Sequence, residues 1–321
     1  MTGQATIVFT IHRPEMIALT ADIMQRHQTI FLEEPPAEGF EEMLSGRLTI
    51  DDYLAPIDLE YPEFSKRMCQ LERELYDSGA RLVQVEPFLE ELIAIHEFFA
   101  EGSRPADIKP QSLREAVYIS EKNATGALLA YYRTVMTGNF DESVAAIIAF
   151  ARRDGARFRL RDKLRTIAIG NRIDPKSRSY IEAGVIHYSL YPMLKKKLGG
   201  KLPVKSVFAA KEAIRQLGRK GHLYGPGDLL TLRYILHPNL TEAGAREALL
   251  AGRALIYAKL IGKEEISAQV DTFPHIRNEL DTIAMVNNMS FEDCRKLFPM
   301  IRRRSTDDSF TMVQQYLKNN Y

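Results

Sequence analysis

Cysteine is scarce in this chain, with only Cys69 and Cys294 among 321 residues. The two lie far apart without metal-type spacing, each on a helical pattern, which argues against a disulfide scaffold and fits a reducing, cytoplasmic compartment. An excess of one charge is also missing: 43 Lys+Arg against 42 Asp+Glu leave a net charge of +1. That balance gives no field to steer nucleic acid or an anionic membrane, so nucleic acid is not an expected partner. No apolar run reaches the roughly 18 residues that a membrane span needs. The best candidate, from Ala248, is interrupted by Arg253 and Lys259. The opening MTGQATIVFT has neither the basic start nor the long apolar stretch of a secretory signal. Walker-type, Gly-x-Gly-x-x-Gly, Gly-x-Ser-x-Gly and His-Glu-x-x-His patterns are absent too, which narrows the field and argues against nucleotide binding by the common routes.

What is present is a repeated grammar. Four apolar runs each end in an ionisable residue: ATIVFTIH at His12, TIFLEE at Glu33 and Glu34, RLVQVE at Glu86, and YIEAGVIH at His187. Each leads into a helix-like stretch, the arrangement by which open α/β sheets build sites at the carboxyl ends of their strands. With 45% apolar residues a packed core is expected. The fold class predicted is α/β, a mainly parallel sheet flanked by helices, with a long helical insertion and an α-helical C-terminal region.

The units can be read in order. Helical spacing follows Pro14, a second helix runs from Pro62 to Ser78 and closes at Gly79, and a third begins at Pro87. The segment LTIDDYL reads as a short helix near the rim. A helical insertion at about 103–173 precedes the strand Tyr180 to Ile186, and Pro203 to Phe208 supplies a last strand. Residues 1–208 then form the core domain and 209–321 a helical appendage, whose helices are expected to start at caps such as Thr241, Ser290 and Thr306.

Among residues suited to chemistry, His187 follows Gly184 in a Gly-x-x-His that ends a strand, where glycine permits close backbone approach. His12 repeats that placement on the first strand. Adjacent strand residues face opposite sides, so one of Glu33 and Glu34 turns to the cleft, with Glu34 preferred. Glu86 has the same position on the third strand, from which a carboxylate holds a water or metal or orients a histidine; otherwise it is a helix-initiating acid. A basic helix carries Arg157, Arg161, Arg165 and Arg172. Such runs are usually solvated faces, and that reading is favoured for Arg157 and Arg165 over Arg161, which is expected to enter the cleft and stabilise developing negative charge. His27, His96, His222, His237 and His275 have no evident partners in the pattern.

In order and type, FTIHRP at His12, FLEEP at Glu33 and Glu34, LRDKLRTIAI at Arg161 and AGVIHYSLYPML at His187 resemble the TraB/PrgY, ChaN, erythromycin-esterase and TIKI superfamily. The resemblance runs from about Thr6 to Phe208, with Phe9 where the first motif of that family has glycine. It implies an α/β core with a histidine-carboxylate site, metal-dependent in TIKI-like members, metal-free in the esterases, and haem- or iron-binding in ChaN-like ones.

Two functions follow as expectations. The first is a hydrolase of amide or ester bonds in a small-molecule or peptide substrate. Its metal ligands would be His12, Glu33, Glu34 and His187, holding Mn, Zn, Fe or Co, and its catalytic residues Arg161 and Glu86. The second is a ligand-, haem- or iron-binding or regulatory protein on the same fold. A homo-oligomer is compatible with either.

Overall fold

The computed structural model describes residues 3–240, 242–262, 264–266 and 272–320. The cap expected at Thr241 lies outside them. Five strands, β1 (Gln4–Thr10), β2 (Thr29–Leu32), β3 (Arg81–Gln84), β4 (Arg178–Gly184) and β5 (Val204–Phe208), form one parallel sheet in the order β3-β2-β4-β1-β5. The helices in chain order are α1 (Ile17–Met24), α2 (Phe40–Leu44), α3 (Ile50–Leu54), α4 (Pro62–Asp77), α5 (Pro87–Ala100), α6 (Leu113–Thr137) and α7 (Phe140–Arg172). They continue as α8 (Leu190–Leu198), α9 (Ala209–Gln216), α10 (Pro226–Leu236), α11 (Ala245–Leu260), α12 (Pro274–Asn287), α13 (Phe291–Ile301) and α14 (Thr306–Asn320). The α/β class expected from the sequence is therefore the one observed.

Of the caps expected, Ser290 is observed. Thr49 Oγ1 caps α3 by accepting from Asp52 N, and Ser290 Oγ caps α13 by accepting from Asp293 N at 3.1 Å. At α14 the cap is Ser305, whose hydroxyl accepts from Asp308 N at 3.1 Å, and Thr306 is already helical. Gly79 has φ +90° just past α4, the left-handed turn that a side chain would oppose.

Register sets the rim. Thr10 pairs with Gly184, Phe31 with Ile181 and Leu32 with Gln84, so the carboxyl ends of β1 to β4 finish near one level. β4 lies between β1 and β2 although it comes late in the chain, which makes this rim a topological switch point. One sheet face packs Ile7, Phe9, Phe31, Ile181 and Ala183 against Ile169 and α8 residues Leu190 and Leu194. Alternation places Ile30, Leu32, Tyr180 and Glu182 on the other.

Contacts divide the chain into two interleaved compact units, 1–118, 159–220 and 265–274 in one, and 119–158, 221–264 and 275–321 in the other. This differs from the expected division at 208. The middle of the insertion has apolar residues Phe140, Val144, Ile147 and Ala151 at helical spacing, and they share a core with Leu230, Leu255 and Leu297 of the C-terminal helices. Burying that stripe requires partners about a hundred residues away, which periodicity in one segment does not reveal. Among the described residues no helix is long and apolar enough to cross a membrane.

Candidate functional site

The sheet unit gathers a buried set of charges at the rim. Glu33, one residue past β2, continues the alternation onto the Phe31 face and meets His187 there, Oε1 to Nε2 at 2.7 Å. Its Oε2 accepts from the Gly184 amide at 2.5 Å and lies 3.3 Å from Arg165 Nη1. The other ring nitrogen of His187 lies 2.5 Å from Asp162 Oδ1, and the Ser189 hydroxyl donates to Asp162 Oδ2. Asp162 is wholly buried and His187 is 2% exposed.

Two arginines of α7 enter the same set. Arg161 Nη2 lies 3.4 Å from Glu86 and 3.7 Å from Glu33. Arg165 Nε lies 3.5 Å from Glu86, and its donors also reach Val85 O at 3.2 Å and Glu182 O at 2.7 Å. Arg161 and Arg165 are one helical turn apart, so they share a face. The assignment of Arg165 to a solvated face is thus corrected: it is completely buried, whereas Arg161 keeps 15% of its side chain exposed. Arg157 is tied to Glu121 and Asp154 in the other unit. Glu86 precedes α5 but does not cap it; its buried carboxylate turns to the arginines instead.

Three carboxylates, Glu33, Glu86 and Asp162, therefore face two guanidiniums and an imidazole. Burial opposes charge on His187, but Glu33 and Asp162 outweigh it and hold the ring's pKa up at about 9. The imidazolium form of the ring is thereby favoured between its two carboxylate partners. Burial likewise opposes ionisation of Glu33, yet His187, Arg165 and Arg161 keep its pKa well below the usual carboxylate range.

Glu34 has the opposite environment. It sits on the other face, where Gln84 Nε2 donates to it at 3.1 Å and Gln84 Oε1 accepts from Ala37 N at 3.0 Å. Glu182, which accepts from Glu33 N at 3.0 Å, and Glu72 on α4 are its buried neighbours. Burial and the charge of Glu182 raise Glu34, and burial with Glu34 and Glu182 raises Glu72 well above the ordinary range. One Glu72 oxygen is buried without a hydrogen-bond partner.

His12 is not part of the buried set. It lies exposed at the end of β1, stacked on Phe64 with ring centroids 5.1 Å apart, close enough for its charge to oppose the rise of Glu34. Gly184 was expected to allow close approach, but a Cβ there would meet His187 and Glu33 at 3.6 and 3.7 Å, an ordinary contact; its role is the amide it gives to Glu33. Phe9 is a core residue stacked on Phe208 at 4.9 Å. The pattern missed Asp162, Ser189, Glu182, Gln84 and Glu72. Asp162 could have been suspected from its place next to Arg161; the rest give no signal in sequence. His27 is satisfied by Ile23 O at 2.7 Å and Thr6 Oγ1 at 3.0 Å.

As arranged, these residues do not fit the divalent ion expected. Both ring nitrogens of His187 are held by carboxylates, Glu33 is neutralised by arginines, and no three His, Cys, Asp or Glu side chains among the described residues are grouped to hold an ion.

A curated protein of Archaeoglobus fulgidus, described only as an uncharacterized protein, is 29% identical to this chain over 293 residues, which cover 91% of this chain and 97% of that protein. No family model and no solved structure matches the chain.

Proposed function

We propose that this protein hydrolyses an amide or ester bond at the carboxyl edge of its sheet by acid/base chemistry. The observation that carries this reading is the setting of half-buried Glu34, which burial and the charge of Glu182 push toward its neutral form, with exposed His12 near it. A carboxyl kept toward its neutral form and an accessible imidazole supply a proton donor and a proton acceptor at one edge.

In this reading the exposed His12 imidazole takes a proton from water as the water oxygen attacks the substrate carbonyl carbon. Arg161, the more accessible of the two site arginines, stabilises the oxyanion that forms. Glu34 then gives its proton to the leaving nitrogen or oxygen as the bond to carbon breaks, leaving a carboxylic acid and an amine or alcohol. Glu33, Asp162 and His187 position Arg161 and Arg165, and Glu86 orients the guanidinium of Arg161.

The test is turnover of a panel of activated esters and short peptides by wild type, His12→Gln and Glu34→Gln. Turnover lost in both variants at unchanged circular dichroism supports the proposal. No turnover of any substrate by wild type sinks it and leaves the ligand-, haem- or iron-binding reading.

A further inference from the structure

The sheet ends at β3, which pairs with β2 on one side. Arg81 N donates to Gln28 O at 2.8 Å and Val85 N to Leu32 O at 3.1 Å, so the odd-numbered residues turn their backbone groups to β2. Leu82 and Gln84, between them, turn theirs outward. No hydrogen bond among the described residues reaches the backbone N–H or C=O of either. An edge of this kind offers donors and acceptors two residues apart, the spacing of another strand.

A groove of about 610 Å³ runs along this edge. Residues 80–84 all line it, and because strand side chains alternate between faces, five consecutive residues share one cavity through their backbone edge. The exposed Tyr76 of α4 and the exposed carboxylates of Glu41 and Glu42 on α2 complete its wall. At the carboxyl end of β3 the groove reaches Gln84, whose side-chain amide donates to Glu34 at 3.1 Å. Short edge strands are commonly left bare. This one is walled, and it opens onto the rim.

We propose that the β3 edge binds an extended polypeptide segment as a sixth strand of the sheet, its backbone bonded to Leu82 and Gln84 and its basic side chains beside Glu41 and Glu42. A polypeptide backbone repeats donor and acceptor at this spacing, which a small ligand does not. An added strand leaves the groove at Gln84, next to Glu34. That the bound segment is also the substrate rests on the hydrolytic reading; that it binds does not.

The test is calorimetric titration of the full chain with the blocked hexapeptide Val-Lys-Val-Lys-Val-Lys and with two versions of it, N-methylated at every valine or at every lysine. Alternate amides of an extended strand face one side, so methyl groups on one set block pairing and those on the other do not. The parent is expected to bind saturably, one methylated version about tenfold more weakly and the other with little change. Leu82→Pro removes an outward N–H and no ladder bond, and should weaken binding about tenfold. Glu41→Gln should weaken it severalfold at an unchanged unfolding midpoint. Absence of saturable binding, the same effect from both methylated versions, or undiminished affinity in both variants would overturn the proposal. So would a dimer in sedimentation that Leu82→Pro dissociates, since a second copy would then occupy the edge. Binding in the expected pattern without cleavage leaves the strand site standing and counts against the hydrolytic reading alone, whereas ester turnover without peptide binding does the reverse.

Discussion

Glu33 Oε1 and His187 Nε2 meet at 2.7 Å inside a largely buried set of charges. Each partner holds the other ionised, so the pair links folding to pH from both directions. His187 has its folded pKa raised to about 9 from an ordinary value near 6.5. Its contribution is complete below about 6.5 and is lost as pH rises through 9, and it is worth on the order of 3 kcal/mol. Glu33 has its folded pKa depressed; its contribution is present above about 4.3 and is lost as pH falls below that value. Urea unfolding across pH should therefore show greatest stability between about 4.5 and 6.5. His187→Gln should flatten the alkaline limb, and an unchanged limb would refute the assignment.

Arg165→Met should destabilise the sheet unit by about 3–5 kcal/mol, the cost of stripping a buried ion-pair network of one cation. The variant leaves Glu33 and Glu86 short of charge and two backbone carbonyls without their donor. Arg165→Lys should recover little, because one ammonium does not reproduce a fork that reaches Val85 O and Glu182 O together. Denaturant midpoints for the two variants check both statements.

Glu72→Gln should stabilise the protein at neutral pH. A carboxyl whose folded pKa lies above its unfolded value subtracts stability once pH exceeds the unfolded value, and an amide removes that penalty. The gain should vanish below pH 4, where the acid is protonated in both states. A thermal-melt series at pH 3.5 and 7.5 decides it.

Under the proposed chemistry, Glu34→Gln should lower kcat by about 10²–10⁴-fold while leaving the fold intact, since it removes a proton donor and keeps the shape. His12→Gln should have an effect of the same order, since it removes the base of the attack that precedes departure of the leaving group. Steady-state kinetics of the single and double variants provide the comparison.

Extended treatment with a chelator should leave both turnover and the unfolding midpoint unchanged, because His187 and Glu33 are already committed to charged protein partners. Turnover that disappears and returns with added Mn or Zn would show instead that these contacts open to admit an ion.

The local texture of this chain was legible from its residues. Apolar runs of strand length, a proline opening each of α4 and α5, Gly79 after α4 and the hydroxyl of Ser290 specify elements through interactions that span a few residues. The alternation of strand side chains also separated Glu33 from Glu34. Tertiary structure decided which of these charges became buried. Arg165 looked like its exposed neighbours until α7 crossed the sheet, because burial is a property of what packs over a residue and leaves no mark in the residue's own surroundings in sequence. Asp162 and Ser189 are 27 residues apart, and Glu33 and His187 are separated by more than 150, so only the parallel pairing of β2 with β4 and the packing of α7 make them partners. The opposed states of Glu33 and Glu34 depend on the same cause: identical side chains, one residue apart, take their pKa from the cations or the acids that the fold sets beside them.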